Sequence, residues 1–305
     1  MEWLLYHVAR TALAVLQALP LKVVAVLGRC GGTLAYCIDA RHRKVAINNL
    51  TLCFGGEKSA SEIRALAREN FRRVGENYAS AVRTAIMRQE ESRRILTVEG
   101  CEKIRVGSVG DPPGIVVAIG HFGNFELYGH TGRYLPGFQF ATTYRALRQP
   151  SLDRLWQRMR ELTGTIFFER RTGSTALREA MNHQRLVIGF LADQHAGDKG
   201  LRLPFLGHDC STSTAPAIFA LRYACPLHAA ICYRVGLGRW RIEVGDEIPT
   251  HDGEAKRSVE DITRDVNRAL EAAVRRDPAN WFWVHKRWKP QGRQVQEAPV
   301  PPPTS

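Results

Sequence analysis

The chain of 305 residues is 44% hydrophobic and 24% charged, a balance that supplies a large apolar core at a length near the upper limit for a single one. Its net charge of +13 implies an anionic partner, and leaves nucleic acid, a phospholipid surface and a phosphate-bearing substrate all open. The seven cysteines are scattered and form no C-x-x-C pair, which argues against a disulfide framework or a zinc knuckle and for a reducing, cytoplasmic setting.

Trp3 to Ile38 is strongly apolar, but Arg10, Pro20, Lys22 and Arg29 interrupt it. No unbroken run approaches the roughly 20 residues of a spanning helix, and Glu2 ahead of the run fits a signal peptide poorly. Residues 1–40 therefore read as a membrane-associating helical hairpin, broken at Pro20, that lies in or against a bilayer; a pair of core helices is the alternative. Arg41, His42, Arg43 and Lys44 follow directly, a cluster suited to anionic headgroups at about 1 kcal/mol per basic residue. Ser61 to Met87 has helical spacing in Ile63, Leu66, Ala67, Phe71 and Val74, with Ser59 or Ser61 as the N-cap.

From Gly114 onward strands and helices alternate. The run after Gly114, up to Ile119, reads as a buried strand. Helix is expected from Asn124 to Tyr134, strand from Phe138 to Thr143, helix from Ser151 to Leu162 and strand from Thr165 to Phe168. Ser174 to Asn182 (helix), Arg185 to Ala192 (strand), Thr214 to Tyr223 (helix), Leu227 to Val235 and Trp240 to Ile248 (strands) continue the series, and Arg257 to Arg276 closes it as a long helix. The order predicts an α/β sheet flanked by helices, one domain over 41–290. Trp281 to Lys289 alternates aromatic and basic side chains, which suits the headgroup level of a membrane, a surface for stacked bases, or a structural strand; the apolar N-terminus favours the membrane. Gln291 to Ser305, rich in Pro and Gln, reads as a disordered tail.

The chemistry concentrates in Gly120-His121-Phe122-Gly123-Asn124-Phe125-Glu126, which follows a buried strand and opens a helix, the place where α/β folds set their sites. Residues five apart on a helix point about 140° away from each other, so His121 and Glu126 meet only if His121 lies in the turn before the helix. Gly120 and Gly123 permit that turn, and Asn124 can cap the helix. Glu126 beside His121 would fix its tautomer and stabilise the imidazolium, as a general base requires.

Gly-His-Phe-Gly-Asn-Phe-Glu at 120–126 resembles the His-x4-Asp/Glu motif of the glycerolipid acyltransferase superfamily, and in particular the branch of lauroyl and myristoyl transferases of lipid A biosynthesis. Further blocks carry the resemblance to about residue 292. They are Ala46-Ile47-Asn48-Asn49-Leu50 with Cys53-Phe54 (Gly55 replaces the usual proline), Tyr144-Arg145-Ala146-Leu147 with Asp153-Arg154-Leu155 and Arg160, and Phe168-Glu169-Arg170-Arg171 with Gly189-Phe190-Leu191-Ala192-Asp193-Gln194. Leu203-Pro204-Phe205-Leu206-Gly207, Ser213-Thr214-Ala215-Pro216 and Trp283-Val284-His285-Lys286-Arg287-Trp288-Lys289 complete them.

The resemblance implies a glycerolipid-acyltransferase-like α/β sheet and transfer of a fatty acyl chain to a hydroxyl of a (phospho)glycolipid acceptor, a lipid A precursor. His121 would be general base and Glu126 its orienting carboxylate. Backbone amides at Gly123 and Asn124 would hold the oxyanion; Arg145 and Arg170 would grip phosphates. Asp193 would orient an arginine or bind the acceptor, with a structural ion pair as the bland reading. No resident cofactor or metal is expected. The partners would be the lipid bilayer, the glycolipid acceptor and an acyl carrier protein or CoA thioester, with no nucleic acid, on the cytoplasmic face of a bacterial inner membrane.

Two rivals stay open from the residues alone. Glu126 and His130, four apart on the expected helix, could share a metal with His121 in a hydrolase. The charge and C-terminal aromatics could bind nucleic acid, although no RRM, KH or zinc-finger signature supports that. A G-x-S-x-G elbow, P-loop and G-x-G-x-x-G fingerprint are all missing from the sequence.

Overall fold

A computed structural model of the protein describes residues 2–104, 114–147, 149–170 and 172–289; the tail expected at 291–305 lies outside the described residues. The chain begins with helices α1 (Glu2–Ala18), α2 (Leu21–Ile38), α3 (Ala40–Phe54), α4 (Ala60–Thr84) and α5 (Gln89–Ser92). Ser59 caps α4 in a full capping box: its side chain accepts from the Glu62 amide while Glu62 accepts from the Ser59 amide.

Two N-terminal helices are present, but they do not pair with each other as the expected hairpin; each packs on α4 instead. Gly28 and Gly32 of α2 face Phe71 and Gly75 of α4 so closely that a Cβ at Gly32 would lie 2.1 Å from the Phe71 carbonyl oxygen, and one at Gly28 2.5 Å from that of Gly75. Arg29 on the same seam pairs with Glu69 at 3.0 Å and Glu76 at 3.2 Å. Glu76, fully buried, also takes Arg234 at 2.8 Å and the Gly238 amide, which locks α2 and α4 to the sheet. Away from α4, Val8 and Val15 of α1 and Val23, Val26, Leu27, Leu34 and Ile38 of α2 are exposed. By length and composition α2 is apolar enough to cross a membrane.

A seven-stranded sheet forms the body, built from β1 (Leu96–Glu99), β2 (Ile115–Ile119), β3 (Gln139–Tyr144), β4 (Ile166–Glu169), β5 (Leu186–Leu191), β8 (Leu227–Gly236) and β9 (Arg239–Glu247). Their order is β1-β9-β8-β2-β5-β3-β4, parallel at every pairing except β8 with β9. Between β5 and β8 in the chain, β6 (Leu201–Phe205) and β7 (His208–Thr212) make a separate antiparallel hairpin. Helices α6 (Pro150–Glu161), α7 (Ser174–His183), α8 (Ala215–Tyr223) and α9 (Val259–Arg276) complete the α/β arrangement.

All five residues of β2 are buried, and its side chains alternate between two cores. Val116 and Ala118 join the core that holds residues of α3, α4, α7, α8 and α9. Ile115, Val117 and Ile119 join a second core with Val187, Ala230, Ile242 and Val244. The cover on this second side is thinner. Where an α-helix was expected over Asn124–Tyr134, the chain makes two short 3-10 turns, Phe125–His130 and Gly132–Tyr134. Under them a cavity of about 760 Å³ stays open across the sheet.

Candidate active site

The site forms where the two central parallel strands end. In the register of β2 and β5, Ile119 lies opposite Leu191, and each chain runs two residues further to a polar side chain. His121 and Asp193 are thereby brought side by side. Asp193 Oδ1 lies 2.9 Å from His121 Nδ1, and its Oδ2 accepts both the His121 amide at 2.8 Å and the Trp281 indole N–H at 2.8 Å.

Asp193 is fully buried. Burial alone would push its carboxyl pKa up, but the adjacent imidazole and the three hydrogen bonds outweigh it and hold the pKa down at about 2. The carboxylate is therefore ionised at neutral pH, an acceptor to which Nδ1 of His121 donates. That tautomer leaves Nε2 as the ring nitrogen available to substrate, and His121 lines the large cavity. Phe125 and Phe282 flank the imidazole at 5.0 and 5.9 Å between ring centroids.

This corrects the pairing read from the sequence. Glu126 does not orient His121: its carboxylate is held by Arg160, Oε1 to Nη2 at 2.6 Å and Oε2 to Nε at 3.1 Å. The 3-10 turn that begins at Phe125 carries Glu126 away towards α6. Arg160 in turn lies over the rings of Phe167 at 4.9 Å and Trp156 at 5.6 Å. Asp193, expected to meet an arginine or the acceptor, spends both oxygens on His121 and Trp281 and is closed to solvent.

The turn itself also differs from expectation. Gly123 sits at φ +52°, and a Cβ there would lie 2.5 Å from the Cys232 carbonyl oxygen, so glycine is required. Its amide already donates to the Asn280 carbonyl at 3.1 Å, which removes it as an oxyanion donor. Asn124 does not cap the turn; it is buried, and its Nδ2 donates to Thr84 Oγ1 at 3.3 Å.

Arg145 and Arg170 both reach the cavity, at the end where Tyr144, Asp153 and Phe167 also line it. Both are exposed, and neither makes an ion pair among the described residues. The opposite end, under β8, β9 and β1, is lined by Val98, Ile104, Ala230, Ile242 and Val244. The cavity is thus cationic at one end and apolar at the other, with His121 between.

The C-terminal aromatics are not at a surface. Trp281, Trp283 and Arg287 are buried, because Trp281 props the dyad and Arg287 fixes the backbone just after it, donating to the Ser211 carbonyl at 2.7 Å and to Thr212 Oγ1 at 3.0 Å, as well as to the Gln194 carbonyl. His285 accepts the His195 amide through Nε2 at 2.9 Å, and burial lowers its pKa to about 4. Sequence reasoning set Trp281 and His285 in a membrane-facing segment and named Arg160 only within the family resemblance; their contacts with residues distant in the chain carry no local signal. The metal alternative does not assemble, since among the described residues no three His, Cys, Asp or Glu side chains gather as a ligand set.

Residues 1–290 match the family described as bacterial lipid A biosynthesis acyltransferase. No curated protein matches the chain.

Proposed function

From the chain's membership of the bacterial lipid A biosynthesis acyltransferases, we propose that it moves a medium-length fatty acyl group from a thioester, of acyl carrier protein or CoA, to a hydroxyl of a phosphorylated glycolipid such as a lipid A precursor. The observation that carries this reading is the buried His121–Asp193 pair opening into a cavity that is apolar on one side and cationic on the other. His121 Nε2 takes the proton of the acceptor hydroxyl as its oxygen attacks the thioester carbonyl. Asp193 holds the tautomer and stabilises the imidazolium. The C–S bond breaks as the tetrahedral intermediate collapses, and the Nε2 proton passes to the leaving thiolate. No acyl-enzyme is required, because the thioester is already activated.

The apolar arm suits the acyl chain. From β2 it extends under three neighbouring strands, β8, β9 and β1, roughly 14 Å at about 4.8 Å per strand. A methylene advances about 1.3 Å for a C–C bond of about 1.5 Å, so the arm holds roughly eleven carbons. Arg145 and Arg170 are suited to the acceptor's phosphate at the other end, and the Arg160–Glu126 pair shapes the wall between. The exposed apolar side chains of α1 and α2 support attachment to a membrane, for which we propose the cytoplasmic face of the inner membrane.

The test is acyl transfer by the purified protein to lipid A precursors, with products read by mass spectrometry. The wild type should add one acyl chain per turnover, His121→Ala should lose at least about 10³-fold, and Arg145→Ala with Arg170→Ala should raise KM. Transfer undiminished in His121→Ala would overturn the mechanism.

A further inference from the structure

A second hollow, of about 350 Å³, lies away from the catalytic cavity where α1 meets α6. Its walls are Trp3 and Tyr6 of α1 and Ser151, Arg154 and Arg158 of α6. Arg154 and Arg158, four apart on α6, share one face of the helix. Both are exposed, and neither has a carboxylate within ion-pair distance among the described residues. Arg158 Nη1 donates to the Tyr6 hydroxyl at 3.4 Å. Ser151, in the first turn of α6, is only 3% exposed, and its Oγ finds no hydrogen-bond partner among the described residues. Asp153, the acid of that turn, is taken by the Leu147 amide at 2.8 Å and lines the catalytic cavity instead. The hollow therefore offers two unneutralised guanidiniums, a hydroxyl without a partner and the positive end of a twelve-residue helix.

We propose that this hollow binds the phosphate headgroup of an anionic phospholipid in the bilayer. The chemistry of the donors selects a phosphate. The surroundings favour a lipid: Trp3, 73% exposed, stands at the rim, and further apolar side chains, Val8 and Val15 of α1 among them, are exposed along the same helix and on α2. Helix α6 gives the site a consequence. Ser151, Arg154 and Arg158 face the headgroup hollow, while Asp153, Trp156 and Arg160 of the same helix line the catalytic cavity. A lipid held on one side thus fixes the helix that walls the other, with the cavity at the membrane surface. The inference rests on the membrane-facing part of the proposed function and not on the catalytic dyad.

Co-sedimentation of the full chain with vesicles separates the two. Phosphatidylcholine vesicles report the apolar face alone, and vesicles with a quarter phosphatidylglycerol report the headgroup site. Wild type should bind the anionic vesicles more tightly. The Arg154→Gln/Arg158→Gln double variant should lose about 30-fold of that increment, from about 1 kcal/mol per basic side chain at an anionic surface, and keep its phosphatidylcholine binding. Ser151→Ala should lose a smaller part, and an equal charge loss on the far side of the sheet, Arg222→Gln/Arg268→Gln, should lose little. Unchanged unfolding temperature guards against a folding defect.

Equal losses from both double variants, or full competition by inorganic phosphate at matched ionic strength, would overturn the lipid site. So would unaltered vesicle binding with impaired transfer to a detergent-dispersed acceptor, which would give the hollow to the acceptor. Failure of the wild type to bind phosphatidylcholine would instead sink the membrane reading.

Discussion

His121 Nδ1 lies 2.9 Å from Oδ1 of Asp193, a residue 72 positions further along the chain, and the other oxygen of that carboxylate is fixed by two donors that are not titrated, the His121 amide and the Trp281 indole. Those two donors predict the outcome of Asp193→Asn. The asparagine oxygen must stay on Oδ2's side to serve them, so its NH2 faces Nδ1. Nδ1 then becomes the acceptor, the ring proton moves to Nε2, and the base is lost. Turnover should fall about 10³–10⁴-fold with KM little changed and the fold intact. A variant with near wild-type kcat would remove Asp193 from the mechanism.

Glu126 gives the contrasting case. Its bidentate bond to Arg160 makes the two residues one unit at the cavity wall. Glu126→Gln and Arg160→Gln should each lower kcat/KM, and the double variant should be hardly worse than either, with a coupling of about 1–3 kcal/mol. If Glu126 oriented His121, as spacing suggested, its loss would mimic Asp193→Asn and would be additive with loss of Arg160. Steady-state kinetics on the four proteins of this cycle decides between them.

The sequence carried the fold wherever one periodicity dominated. The unbroken apolar run of β2, the Ser59–Glu62 capping box of α4 and the spacing of α9 are local signals, and each element stands within a few residues of where it was expected. β1 was missed, as were β6 and β7, because four- and five-residue strands with mixed faces carry too few alternations to stand out. The helix expected over Asn124–Tyr134 became 3-10 turns in which Asn124 makes no side-chain cap; its Nδ2 donates to Thr84 on α4 instead, a long-range contact that local sequence does not announce. Of the dyad, His121 was legible from its glycine-flanked turn. Asp193 was visible only as the end of a strand: its partnership depends on β5 lying beside β2, a non-local pairing that no spacing encodes. The same is true of Trp281, whose aromatic-basic surroundings resemble a membrane interface yet are buried by long-range bonds such as Asn70 Nδ2 to the Ala279 carbonyl at 3.0 Å.

His285 predicts the pH dependence of stability. Its folded pKa is lowered to about 4, chiefly by burial, against 6.5 for the exposed side chain. The unfolded chain therefore binds a proton first as pH falls. The contribution is complete above pH 6.5 and is lost progressively between 6.5 and about 4, at most about 3 kcal/mol. Gln at this position can still accept the His195 amide but does not titrate. Urea unfolding at pH 7.5 and pH 5 should show a smaller drop in midpoint for His285→Gln than for wild type; identical drops would assign the acid sensitivity elsewhere.

The glycine seam predicts a pair of opposite outcomes on neighbouring residues. A methyl at Gly32 would lie 2.1 Å from the Phe71 carbonyl oxygen, so Gly32→Ala must push α2 off α4, at a cost of about 1–3 kcal/mol. A methyl at Gly31 meets nothing within 4 Å, so Gly31→Ala should be neutral or stabilising through helix propensity alone. Thermal unfolding should therefore separate the two variants by several degrees. Equal midpoints would mean that α2 is not packed on α4 in solution.

The apolar arm predicts how acyl-chain selectivity can be moved. Val98 lies on β1, the outermost strand beneath which the arm extends, opposite Ile242 in the β1–β9 register, and both line the cavity. A chain seated with its thioester at His121 reaches Val98 only with its last carbons. Val98→Phe should therefore exclude those carbons and leave shorter chains untouched, while Val98→Ala should admit a longer chain. Each methylene denied burial costs about 0.8 kcal/mol, or roughly fourfold, so a two-carbon shift changes the ratio of adjacent donors by about 15-fold. Competition among saturated acyl thioesters in two-carbon steps, with products weighed by mass spectrometry, reads that ratio directly. Shorter products from Val98→Phe and longer ones from Val98→Ala would locate the methyl end of the donor at β1. A uniform loss across all chain lengths in both variants would put the acyl chain somewhere other than this arm.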